Sequence, residues 1–173
     1  MNLEESLRRE HSKSQCINIV AWIGNDRKKF AELMNLFFRG EYRLSQRAAW
    51  PMSEVVLRYP NLIQPYLKKL IQLLNDATQH SAVVRNIVRL LQAVEVPKPL
   101  HGQLMTACFQ FIESNETPVA IKAYALTVLD NLSKLYPEII PEIQLIVKER
   151  LPHETAAFRM RAKPFLREDE RER

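Results

Sequence analysis

At 173 residues the chain is long enough for one domain with a real core, since chains of this size bury most of the surface their unfolded form exposes. Hydrophobic residues at 46% and charged residues at 26% exclude a wholly disordered chain. The net charge of +5 is dispersed, +2 over residues 1–43, +2 over 44–116, −1 over 117–158 and +2 over 159–173, and so gives only weak support to phosphate binding.

Three glycines, no alternating β-branched runs and apolar residues recurring at three- and four-residue spacing predict helix throughout. Residues 2–23 read as a lone helix within a capping segment, 1–24. Its first half is polar at Glu4, Glu5, Arg8 and Arg9, and its second half, from Cys16 to Ile23, is nearly all apolar. Four helix pairs follow, 25–38 with 44–59, 62–74 with 81–95, 100–113 with 118–135, and 138–151 with 153–163, for about nine helices. Proline and polar clusters punctuate them, at Tyr59-Pro60-Asn61, Val96-Pro97-Lys98-Pro99, Tyr136-Pro137 and Leu151-Pro152. Pro51 falls inside the second helix of the first pair, which should kink or begin there. Apolar stripes mark one face of each helix: Ile63, Tyr66, Leu67, Leu70, Ile71 and Leu74 on one, Val84, Ile87, Val88, Leu91 and Val94 on the next, then Ile121, Ala125, Val128, Leu132 and Leu135. The last residues, 164–173, pass into mixed charge and are expected to form a mobile tail.

A period underlies this order. A basic residue opens the second helix of each pair, at Arg47, Arg85, Lys122 and Arg159, with separations of 38, 37 and 37 residues. Three residues later comes an apolar side chain each time: Trp50, Val88, Ala125 and Ala162. With Val84-Arg85 and Ile121-Lys122 opening their helices, the pattern resembles the HEAT repeats, best in VVRNIVRLL (83–91) and PVAIKAYALTVL (118–129). The resemblance covers residues 25–163 and implies an all-α, right-handed solenoid of about four helical hairpins, forming a single domain over 1–163 with repeats near 25–59, 60–96, 97–136 and 137–163. The family tends to place an acid six residues before the basic position. Here that place holds Glu41 and Glu116, but Gln79 and His153 in the other two repeats.

Catalytic motifs are absent. No GxGxxG, P-loop, GxSxG, HExxH or EF-hand pattern occurs, and isolated glycines cannot cradle a phosphate, so no cofactor is expected. Cys16 and Cys108 lie far apart among apolar neighbours and read as buried thiols rather than as a disulfide or zinc site. His11, His80, His101 and His153 lack ligand spacing and read as surface residues. No apolar stretch approaches a membrane span, and the opening MNLEESLRREH is unlike a signal peptide, so the expected location is cytoplasmic.

What remains is a binding surface. In a HEAT-like solenoid the second helices line the concave side, so Arg47, Arg85, Lys122 and Arg159, together with Arg89, form either a stack-aligning set of contacts or a basic stripe. Trp50 and Glu54, one turn apart, are candidates because some DNA glycosylases with HEAT-like repeats pair an aromatic with an acid in their cleft. The leading expectation is a non-enzymatic scaffold that receives a protein partner on that face. The alternatives are a nucleic-acid-binding protein, glycosylase-like or not, and a subunit that stacks end to end on another helical protein.

Overall fold

The computed structural model describes residues 1–39 and 41–166. The described residues are all-α, with ten α-helices and no strand. They group into two compact units, the first Met1–Val96 and the second beginning at Pro97. The boundary lies in the Pro97-Lys98-Pro99 segment, where two prolines preclude a continuous helix.

The first unit opens with α1 (Leu3–Arg9) and α2 (Lys13–Ile23), where one helix over 2–23 is expected from periodicity. The break has a local cause. Glu10 is extended, at φ −146 and ψ 144, and the Ser12 side chain accepts a hydrogen bond from the backbone N–H of Gln15. A serine that caps a new helix competes directly with continuation of the old one. Helix α2 ends at Gly24, whose φ of 52 lies in the left-handed region that favours glycine, with its N–H bonded to the Val20 carbonyl at 2.9 Å. Asp26 then caps α3 (Arg27–Phe38) by accepting from the N–H groups of Lys28 and Lys29.

Helix α4 (Tyr42–Arg58) starts well before Pro51 and continues through it. Its partner pair is α5 (Leu67–Leu74), entered through a 3-10 segment, Pro60–Tyr66, and α6 (Ser81–Leu91). Helix α4 packs against α2, α3 and α6, so its face of Leu44, Ala48, Met52, Val55 and Val56 is fully buried. Phe30, Leu33 and Met34 from α3 and Ile63, Leu67, Leu70 and Ile71 from the α5 strip complete that core.

The second unit contains α7 (His101–Glu113), α8 (Val119–Ser133), α9 (Ile140–Arg150) and α10 (Ala156–Ala162). Helix α8 packs on α7 and α10, and α9 packs on α7. Leu104, Cys108, Ala125, Leu126, Leu129, Val147 and Phe158 are buried among them. Within the α-helices the stripes read from the sequence are buried, whereas Tyr66, in the 3-10 segment before α5, and Val94, beyond the end of α6, are half-buried. Leu135 lies beyond the end of α8 at Ser133 and is 63% exposed, because outside the helix the three-four spacing no longer brings it round to the core. At the far end a 3-10 turn spans Lys163–Phe165, and Phe165 and Leu166 are buried. The rest of the expected tail, 167–173, lies outside the described residues.

Candidate functional site

With one face of α4 turned to the core, helical spacing puts Arg47, Trp50, Glu54 and Arg58 on its other side. Arg47 is tied down there. Its Nη1 donates to the Leu7 carbonyl at 3.0 Å and also to the Arg8 carbonyl, the last-turn acceptors of α1 that have no partner within their own helix. A cation at a helix C-terminus also meets the negative end of the helix dipole. Nearby, Arg8 pairs with Glu4 at 2.9 Å and with Glu41, and Arg39 pairs with Glu4 at 2.8 Å. Glu41 thus meets Arg8 of α1.

One turn along, Glu54 joins α4 to α6. Arg89 Nη1 donates to Glu54 Oε1 at 2.9 Å and to Ser53 Oγ at 3.2 Å. The Ser53 hydroxyl in turn reaches Asn86 Oδ1 at 3.0 Å, and the Asn86 amide donates to the Ala82 carbonyl at 2.8 Å. Trp50 Nε1 approaches the same Glu54 oxygen at 3.4 Å, and its ring meets His11 edge-on with centroids 5.7 Å apart. The Trp50–Glu54 pair therefore belongs to a three-member arrangement with Arg89. Arg85 is exposed and pairs with none of the described residues.

Between α2 and α4 the surface opens into a cleft of about 170 Å³ lined by Lys13, Cys16, Ile17, Val20, Trp50, Glu54 and Arg58. Cys16 and Val20 are buried at its floor, and Ile17 is 49% exposed beside them. Burial pushes the Cys16 thiol up to about 11, with Glu54 adding to the rise and Arg89 and Arg58 opposing it. At neutral pH the sulfur carries its proton and is no nucleophile. Lys13, Ile17 and Arg58 belong to no motif in the sequence. The i, i+4 spacing of Lys13 and Ile17 is visible along the chain, but that α2 exposes them beside α4 is decided by packing.

In the second unit Lys122 is buried, and its Nζ lies 2.6 Å from Glu154 Oε1, which also accepts from Arg150 at 3.2 Å. Arg150 donates further to the Glu113 carbonyl at 3.0 Å. Arg159 bonds the carbonyls of Leu151 and Pro152 at 3.2 and 3.4 Å, closing the turn before its own helix. His101, expected at the surface, is buried, with Nδ1 2.9 Å from the Tyr136 hydroxyl. Among the described residues no three His, Cys, Asp or Glu side chains converge as a metal site, and no helix is long and apolar enough to cross a membrane.

A family model for the HEAT repeat domain matches residues 3–163. The chain belongs to the HEAT repeat family. It is a helical repeat protein of a kind that often mediates protein interactions. The HEAT match takes in α1 and α2, which the 37- and 38-residue period alone places outside the repeats as a cap. Neither the comparison with curated proteins nor that with solved structures gave a match. Within the HEAT pattern the repeated basic position takes different partners: helix-end carbonyls for Arg47, a carboxylate for Lys122 and turn carbonyls for Arg159.

Proposed function

We propose that this HEAT repeat chain is a non-enzymatic interaction module that receives a protein partner on the face made by α2, α4 and α6. The observation that carries the reading is the cleft at Trp50, where the half-exposed Ile17 stands beside an aromatic wall and a charged rim on a rigid helical support. Apolar anchors seated in small pockets and surrounded by polar groups supply most of the energy in protein interfaces. Arg85 and Arg89 of α6 and Arg47 of α4 extend the same face, with Arg85 exposed for contact. Lys122 and Arg159 belong to this reading as residues that hold the second unit in shape. A cytosolic location is part of the proposal, supported by two free, widely separated cysteines.

The test is retention of proteins from lysate of the source cells on the immobilised chain, with and without nuclease, beside an Ile17→Asp/Arg85→Glu variant. Both side chains are exposed, so the variant keeps the core intact. Proteins held by the native chain after nuclease and lost from the variant are the expected result. Equal retention by the two overturns this face, and retention that vanishes with nuclease replaces the protein partner with a nucleic acid.

A further inference from the structure

We infer that the cleft between α2 and α4 binds an acidic segment of another protein, seating one large apolar side chain of that segment between its carboxylates. This rests on the protein-binding reading above and names the chemistry of the partner.

Size decides the first half. Pockets for small-molecule ligands run from about 300 to 1,000 Å³, whereas this cleft is about 170 Å³. A dry cavity of about 150 Å³ lined by aliphatic and aromatic side chains holds a benzene-sized group. The cleft therefore matches a single leucine, isoleucine or phenylalanine side chain. Its lining agrees: Cys16 and Val20 below, Ile17 on one wall and the Trp50 ring on the other. The thiol remains neutral and adds no charge to the floor.

Charge decides the second half. Lys13 in the first turn of α2 and Arg58 in the last turn of α4 line the same cleft, are exposed, and pair with none of the described residues. The one carboxylate in the lining, Glu54, is already answered by Arg89 at 2.9 Å. The rim is thus left with two unmatched cations around an apolar seat. Carboxylates on either side of an apolar anchor complement that arrangement, and a basic segment meets repulsion from both sides. A nucleic acid fits less well. Phosphates require a row of available cations, whereas Arg47 is engaged with α1 carbonyls, Arg89 is engaged with Glu54, the free Arg85 is not among the residues lining the cleft, and an apolar floor offers a phosphate nothing.

The experiment is selection from a displayed library of short random peptides against the full chain. Beside it stand a Lys13→Glu/Arg58→Glu variant, a Lys13→Arg/Arg58→Lys variant and an Ile17→Asp variant, each checked for native helicity by circular dichroism. Peptides retained by the native chain are expected to carry Asp or Glu on both sides of one Leu, Ile or Phe. A synthetic peptide of the selected sequence is expected to bind tenfold or more weakly to the charge-reversed and Ile17→Asp variants, and within twofold of native to the charge-keeping variant. Its affinity should also fall as salt rises. The inference is overturned if no peptide is retained, if the retained set shows no acidic enrichment, or if charge reversal leaves affinity unchanged. Should nuclease-resistant partners be lost from the Ile17→Asp/Arg85→Glu variant while the selection shows no acidic preference, the protein-binding reading stands and the acidic partner falls.

Discussion

Lys122 and Glu154 are 6% and 4% exposed at their side chains and 2.6 Å apart, and Arg150, 14% exposed, stands 3.2 Å from the same Glu154 oxygen, so one buried carboxylate answers two cations. Charges withdrawn from water recover their desolvation cost only through one another, so removing Glu154 leaves both cations stranded. Glu154→Ala is expected to destabilise the chain by about 3–5 kcal/mol, read as a lower midpoint in urea unfolding. Replacing all three, Lys122→Met and Arg150→Met with Glu154→Leu, should return most of that loss, because apolar groups of similar volume fill the site without a stranded charge. Equal destabilisation by the single and the triple variant would mean that packing, not charge, is what the site requires. From the sequence, Glu116 is the acid at the repeat's expected offset from Lys122. In the folded chain Glu116 is exposed, and Lys122 meets a carboxylate 32 residues further along. The repeated cation is visible as a period, but its partner is chosen through space.

Helix α1 shows how weakly a short element is held by its own sequence. Seven residues are too few for a stable isolated helix, so its order comes from docking. Leu3 and Leu7 are buried, Arg47 holds its last carbonyls, and Glu4 lies between Arg8 and Arg39. Hydrogen bonds from Arg8 are the largest cause of the Glu4 carboxyl lying below its ordinary value of 4.5. A lowered carboxylate pKa contributes stability that is complete above the ordinary value and is lost as the pH falls through the lowered one. Amide-exchange protection factors of α1, corrected for intrinsic rates, are therefore expected to drop on acidification below 4.5. Glu4→Gln should show the low protection already at neutral pH. If Glu4→Gln matches the native chain at pH 7, the ion network does not hold α1.

At the scale of the molecule, the first unit contains three helix pairs and its own core, with Phe30, Met52, Val56, Ile63 and Ile87 buried. Helical repeats cannot bury their apolar faces alone, and about three stacked units suffice for stability. A fragment of residues 1–96 is expected to fold, with a cooperative thermal transition by circular dichroism and dispersed amide resonances. A fragment that is helical but melts without cooperativity would show that the core of 1–96 is insufficient.

Much of this protein is legible without coordinates. Helicity follows from the three-four recurrence of apolar residues and the scarcity of glycine. The HEAT pattern follows from the basic positions 37 and 38 residues apart. Both are local or periodic properties, carried along the chain by backbone geometry. The break between α1 and α2 is also local, since Ser12 announces a cap, but the apolar run behind it masks the signal. Other features depend on tertiary structure alone: that Arg89 answers Glu54, that Glu154 answers Lys122, and that Lys13, Ile17, Trp50 and Arg58 share one cleft. Those residues are distant in sequence, and their meeting depends on the rotation of each helix about its own axis. Packing of the buried faces sets that rotation, and no spacing rule along a single helix contains it.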